Sequence, residues 1–69
     1  MKHGARNQVS GEVVEIKKGT LMCQVKVRIA PNIVISSVMT QDSLAELGIA
    51  EGSRVNAVVK AVNVLLISE

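Results

Sequence analysis

Between Cys23 and Ile29 the chain alternates without a break. Cys23, Val25, Val27 and Ile29 are apolar, and Gln24, Lys26 and Arg28 between them are polar or charged. Successive side chains of an extended strand point to opposite faces, so this period of two predicts a strand with one face in a core and the other in water. The whole run spans Leu21 to Ile29. Before it, Gly11 opens the β-branched stretch Glu12-Val13-Val14-Glu15-Ile16-Lys17-Lys18, which ends at Gly19. That stretch reads as a first strand, and Lys18-Gly19-Thr20 as the hairpin connection between the two.

Downstream, Ala30-Pro31-Asn32 breaks the pattern as a turn, and Ile33 to Met39 reads as a third strand. The one helical signal follows. Thr40 is a good N-cap, Asp42 and Ser43 stand in the first turn, Leu44 and Leu47 are three apart, and Gly48 occupies the usual terminating position. The spacing predicts a helix over 41–47, roughly two turns. Glu51-Gly52-Ser53 is a turn, Val55 to Lys60 a fourth strand, Ala61-Val62-Asn63 a link, and Val64 to Ile67 a fifth strand. The order β-β-β-α-β-β predicts a mostly β fold: a small five-stranded OB-fold-like barrel with one short helix. Repeats, linkers and low-complexity segments are absent from the sequence, so residues 1–69 read as a single domain.

Composition raises a difficulty for that barrel. The chain has 69 residues, 48% of them hydrophobic, and no Phe, Tyr or Trp. A chain of this size buries only about 60% of its unfolded surface. Aromatic rings, the largest groups a core can hold, are missing. Cys23 is the single cysteine, so no disulfide forms within the chain, and no Cys/His cluster in the sequence suggests a structural metal. A lone domain would leave much apolar surface wet, and self-association is the expected remedy. With nearly half its residues apolar and a net charge of +2, the chain is not disordered. No stretch reads as a membrane helix, which needs about 20 apolar residues, or as a signal peptide. Cys23 sits on the apolar face of its strand and reads as core; a free thiol suits a reducing cytoplasm.

The functional classes narrow quickly. An enzyme is a poor fit: His3 is the single histidine, no nucleophile and base share a motif, and Gly4, Gly11, Gly19, Gly48 and Gly52 are isolated turn or cap residues, not a phosphate loop. OB-folds that hold single-stranded nucleic acid stack bases on aromatic side chains, worth about 1–3 kcal/mol per base, and this chain has none. Eight Lys and Arg against six Asp and Glu is also too even for a nucleic-acid coat. A small nucleic-acid-binding OB protein therefore stands only as the alternative. A small anion fits better. The free N–H groups of a helix start favour an oxyanion, and Thr40 and Ser43 add hydroxyls there. Taken alone, Thr40 reads as a cap and Ser43, Lys60 and Arg6 as surface residues.

Several longer segments carry a family resemblance. Gly4-Ala5-Arg6-Asn7-Gln8 with Gly11 through Gly19, Ile35-Ser36-Ser37-Val38-Met39-Thr40-Gln41-Asp42-Ser43 with Leu47-Gly48 and Glu51-Gly52, and Ala57 through Val64 together resemble the molbindin, or Mop, family. The resemblance runs in order over residues 4 to 67. It implies a non-enzymatic cytoplasmic protein that binds molybdate or tungstate as its ligand, with no covalent cofactor and no metal held directly by side chains. It implies a homohexamer, a trimer of dimers, with oxyanion sites between subunits. It carries the oxyanion role to Arg6, Thr40, Ser43 and Lys60, and to the backbone of Ala5 and Ala61. Lys17, Lys18 and Gly19 are the candidates for a second class of site. One departure stands out: the family commonly has Ser where this chain has Gly4, so a hydroxyl donor is replaced by backbone N–H or water. Val62 is also more apolar than the small polar residue common there.

Overall fold

The structure, a computed structural model, describes residues 7–60, 62 and 64–68. Four strands and one helix form: β1 (Gln8–Lys18), β2 (Met22–Ala30), β3 (Ile33–Thr40), α1 (Gln41–Leu47) and β4 (Arg54–Val58). They make one antiparallel sheet in the order β3-β2-β1-β4. The alternation of β2 is realised as expected. Cys23, Val25 and Val27 are buried, and with Val13 and Leu44 they form the core.

Strand β1 is longer than its sequence pattern suggests. It begins at Gln8, because Gln8 to Glu12 pair with Val58 to Arg54 and the ladder itself holds polar residues extended. Between Val13 and Glu15 the register with β2 shifts, a bulge that inserts one residue and returns Ile16 to the core side. The turn after the helix covers this irregularity. Val13 N–H donates to Ser53 O at 2.9 Å, Gly52 N–H to Val13 O at 2.8 Å, and Ile16 N–H to a Glu51 carboxylate oxygen at 3.2 Å. Gly52 takes φ 95° to make that turn, a value that favours glycine.

Gly11 has a different reason to be glycine. A Cβ there would lie 2.6 Å from Val27 Cγ1, 2.7 Å from the Arg28 carbonyl oxygen and 3.0 Å from Ile29 Cγ2. A rotamer change can move Val27, but not the backbone oxygen of the neighbouring strand. Gly11→Ala is expected to destabilise the fold by about 1–3 kcal/mol through overpacking. Urea unfolding measures this, and an unchanged midpoint would show that β1 and β2 separate without cost.

The expected fifth strand does not form within the chain. Residues 64–68 carry no regular secondary structure and join no ladder, and Leu65, Leu66 and Ile67 are 88%, 86% and 88% exposed. The sheet stays open, and no strand among the described residues pairs with the outer edges of β3 and β4, so the five-stranded barrel is corrected to a four-stranded open sheet. The reason is that an apolar run favours extended backbone but becomes a strand only when an edge meets its N–H and C=O groups. Inside the curl of the sheet, β3 and β4 face each other across a cavity of about 460 Å³, whose lining includes Ile35, Met39, Leu47, Ile49, Val55 and Val58. No helix of the described residues is long and apolar enough to cross a membrane.

Candidate functional site

The start of α1 brings two of the anticipated donors together. Thr40 ends β3 in extended geometry, φ −72° and ψ 156°, and its Oγ1 accepts from Ser43 N–H at 3.1 Å. The same hydroxyl donates to Ser43 Oγ at 2.9 Å. Thr40 thus spends its proton and one lone pair inside the cap. Ser43 Oγ accepts from Thr40, which leaves its own O–H free to donate outward. The helix closes on Gly48 in the left-handed region, φ 67° and ψ 27°, with its N–H on Leu44 O and Ala45 O.

Electrostatics at this end are mixed. Asp42 lies in the first turn, where its carboxylate suits the helix dipole but opposes an incoming anion. No basic side chain stands on α1 itself. An anion held at this end would draw its positive charge from another element.

Lys60 is exposed and lies two residues beyond β4, at the opposite edge of the sheet from β3. Val59 N–H donates to Asn7 O at 2.7 Å, so the β1–β4 edge continues past its ladder toward Lys60. Lys17, Lys18 and Gly19 stand at the tip of the β1–β2 hairpin, all exposed. Arg6, Ala5 and Ala61 lie outside the described residues.

Gln41 joins these residues through contacts that no sequence pattern marks. Its side-chain amide donates to the carbonyl oxygens of Gly19 and Thr20, and its backbone N–H donates to Leu21 O at 2.9 Å. A glutamine at the first position of a helix carries no local signal of such reach; only the β2–β3 ladder, pairing Met22 with Thr40, brings the turn beside it.

A model of the TOBE domain matches residues 4–66. The chain belongs to the molbindin, or Mop, family of TOBE domains. Molybdenum-pterin-binding protein 2 of Clostridium pasteurianum is 41% identical over 68 residues, covering 99% of this chain and all of that protein. Two solved structures share the fold, each at a TM-score of 0.88. MopII from the same organism is 40% identical, over 97% of this chain and all of the other. A molybdate-binding protein from Sporomusa ovata is 32% identical, over 99% of this chain and all of the other.

Proposed function

We propose that this Mop protein binds molybdate, and tungstate with it, reversibly and without chemistry on the ligand, at seams between its own subunits. Its role is then storage or buffering of molybdenum inside the cytoplasm. Relatives named for molybdenum or molybdate binding, matched over nearly their whole length, support the ligand class. The observation that carries the seam is the division of the donors: Thr40 and Ser43 stand at the β3 edge of the sheet and Lys60 beyond the β4 edge, with an apolar cavity between the edges.

Each part has a physical task. Arg6 and Lys60 supply positive charge, and charge-assisted hydrogen bonds are about twice as strong as neutral ones. Ser43 donates its free O–H, Thr40 holds Ser43 in place, and backbone N–H groups of Ala5 and Ala61 complete the donors. Lys17, Lys18 and Gly19, at the hairpin tip, form the second class of site. An all-donor pocket suits molybdate, which is fully ionised at neutral pH. Phosphate is partly protonated and needs an acceptor. Sulfate has the same charge as molybdate, so pocket size alone separates them.

The cavity between β3 and β4 and the exposed tail suggest how subunits meet. Strands β2, β3 and β4 border a gap that is lined mostly by apolar side chains, and each chain carries an apolar segment with no strand partner of its own. The tail of one copy filling the gap of another closes both barrels and gives the dimer from which a hexamer is built. Because the sites then exist only in the assembly, molybdate stabilises it by mass action.

Equilibrium dialysis against molybdate, tungstate and sulfate tests the ligand. Retention of the first two at micromolar concentration, with sulfate passing through, is expected. A protein that retains no molybdate at that concentration ends this reading, and tight, salt-sensitive binding of single-stranded RNA would replace it with the alternative.

A further inference from the structure

We infer that Gln41 is a positioning residue of the oxyanion site, locking the β1–β2 turn against the start of α1; the inference rests on the molybdate reading above. Three hydrogen bonds from this one residue cross the junction. Its side-chain Nε2 donates to Gly19 O and, at 3.1 Å, to Thr20 O, and its backbone N–H donates to Leu21 O at 2.9 Å. Two carbonyl oxygens facing one carboxamide fix its orientation, because only the NH₂ end has protons to give, and it has one for each. The turn is also closed from within, by Gly19 N–H on Met22 O at 2.8 Å. A hairpin tip and a helix start thereby become one body.

The consequence is a coupling of the two groups of candidate ligands. Gly19 lies on the turn that Gln41 grips, Lys17 and Lys18 end β1 immediately before it, and Thr40 and Ser43 stand one and two residues from Gln41 on the chain. The helix is seven residues long, one end is its Thr40 cap, and only Leu44 is buried, so α1 has little else to fix its angle. A pocket for a rigid tetrahedral ion depends on supporting contacts of this kind, and losing them costs affinity even where every direct ligand remains. Gln41 touches no ligand in this scheme; it decides where the donors stand.

Gln41→Met keeps the length of the side chain and removes both donors. In equilibrium dialysis at equal protein concentration it is expected to retain molybdate about tenfold more weakly than the unaltered protein, with oligomer mass and circular dichroism unchanged. Amide hydrogen exchange at Gln41 and Ser43 should quicken in parallel. Gln41→Lys returns a donor on a stem of similar reach. It is expected to restore affinity relative to the unaltered protein in high salt, where its added charge is screened. A purely structural role would lower the unfolding midpoint and leave molybdate affinity within twofold, and that result overturns the inference. Should Gln41→Met not fold, Gln41→Asn, whose amide falls one methylene short, decides by the same measurement. If the unaltered protein itself retains no molybdate, the functional reading fails first, a result distinct from normal retention by both the unaltered protein and the variant.

Discussion

Truncation after Asn63 is expected to dissolve the assembly while leaving the four-stranded sheet folded. The removed segment includes Leu65, Leu66 and Ile67, each at least 86% exposed and outside every ladder, so the sheet loses no pairing with it. Fully burying such a side chain contributes about 1.5–3 kcal/mol, and two tails exchanged between subunits bury six, for about 9–18 kcal/mol. Association itself costs about 4–15 kcal/mol in lost freedom. In the proposed assembly the tails are thus the difference between an oligomer and separate chains. Native mass spectrometry should report a hexamer for the whole chain and a smaller species, down to monomer, for the truncated one, with similar circular dichroism. Molybdate retention should vanish along with the seams. A truncated chain that keeps the full mass would show that the contacts lie on another surface. The single change Leu66→Asp gives the same comparison without shortening the chain.

The tail also shows where reading a sequence stops. Helix α1 was legible residue for residue because its signals are local: Thr40 caps it, and Gly48 ends it in a conformation few other residues accept. The buried face of β2 followed directly from alternation. Strand β1 obeyed its pattern less well, since the bulge between Val13 and Glu15 interrupts the period and its first residues, Gln8 to Glu12, are held by Val58 to Arg54 of β4, far along the chain. Val64 to Ile67 failed as a strand for the same reason carried further. Composition favours extension there, but pairing is a property of the partner edge, and within one chain no edge takes it. Among the candidate ligands, Thr40 and Ser43 were visible through the cap they build. The positioning contact of Gln41, which is no ligand, was invisible, because its partners on Gly19 and Thr20 are backbone oxygens more than 20 positions earlier. Self-association, by contrast, is an expectation that rests on composition: a short, ring-free, apolar chain leaves much of its apolar surface uncovered.

Replacing either cation is expected to weaken molybdate retention steeply without altering the assembly. The helix start is a poor home for a dianion by itself. Asp42 stands beside the donors, α1 carries no basic residue, and Thr40 has committed its proton to Ser43. In the proposed site Arg6 and Lys60 supply the favourable field. Removing a hydrogen bond to a charged group costs about 1.5–3 kcal/mol, so Arg6→Ala and Lys60→Ala should each weaken binding by about 10- to 150-fold. The pair will not be additive, because both act on one small ion. Arg6→Lys keeps the charge but loses the planar fork that contacts two oxygens at once, and should recover only part of the affinity. Asp42→Asn should act the other way, tightening molybdate by about two- to fivefold as an exposed like charge is removed. It should also lose a little helix stability, since Asp42 favours the dipole. Dialysis together with thermal unfolding separates these outcomes. General damage to the fold would lower affinity and stability together in all four variants. An anion site opposed by Asp42 requires affinity to rise while stability falls in Asp42→Asn, and affinity to fall while stability holds in Lys60→Ala. Unaltered retention in both alanine variants would remove Arg6 and Lys60 from the site.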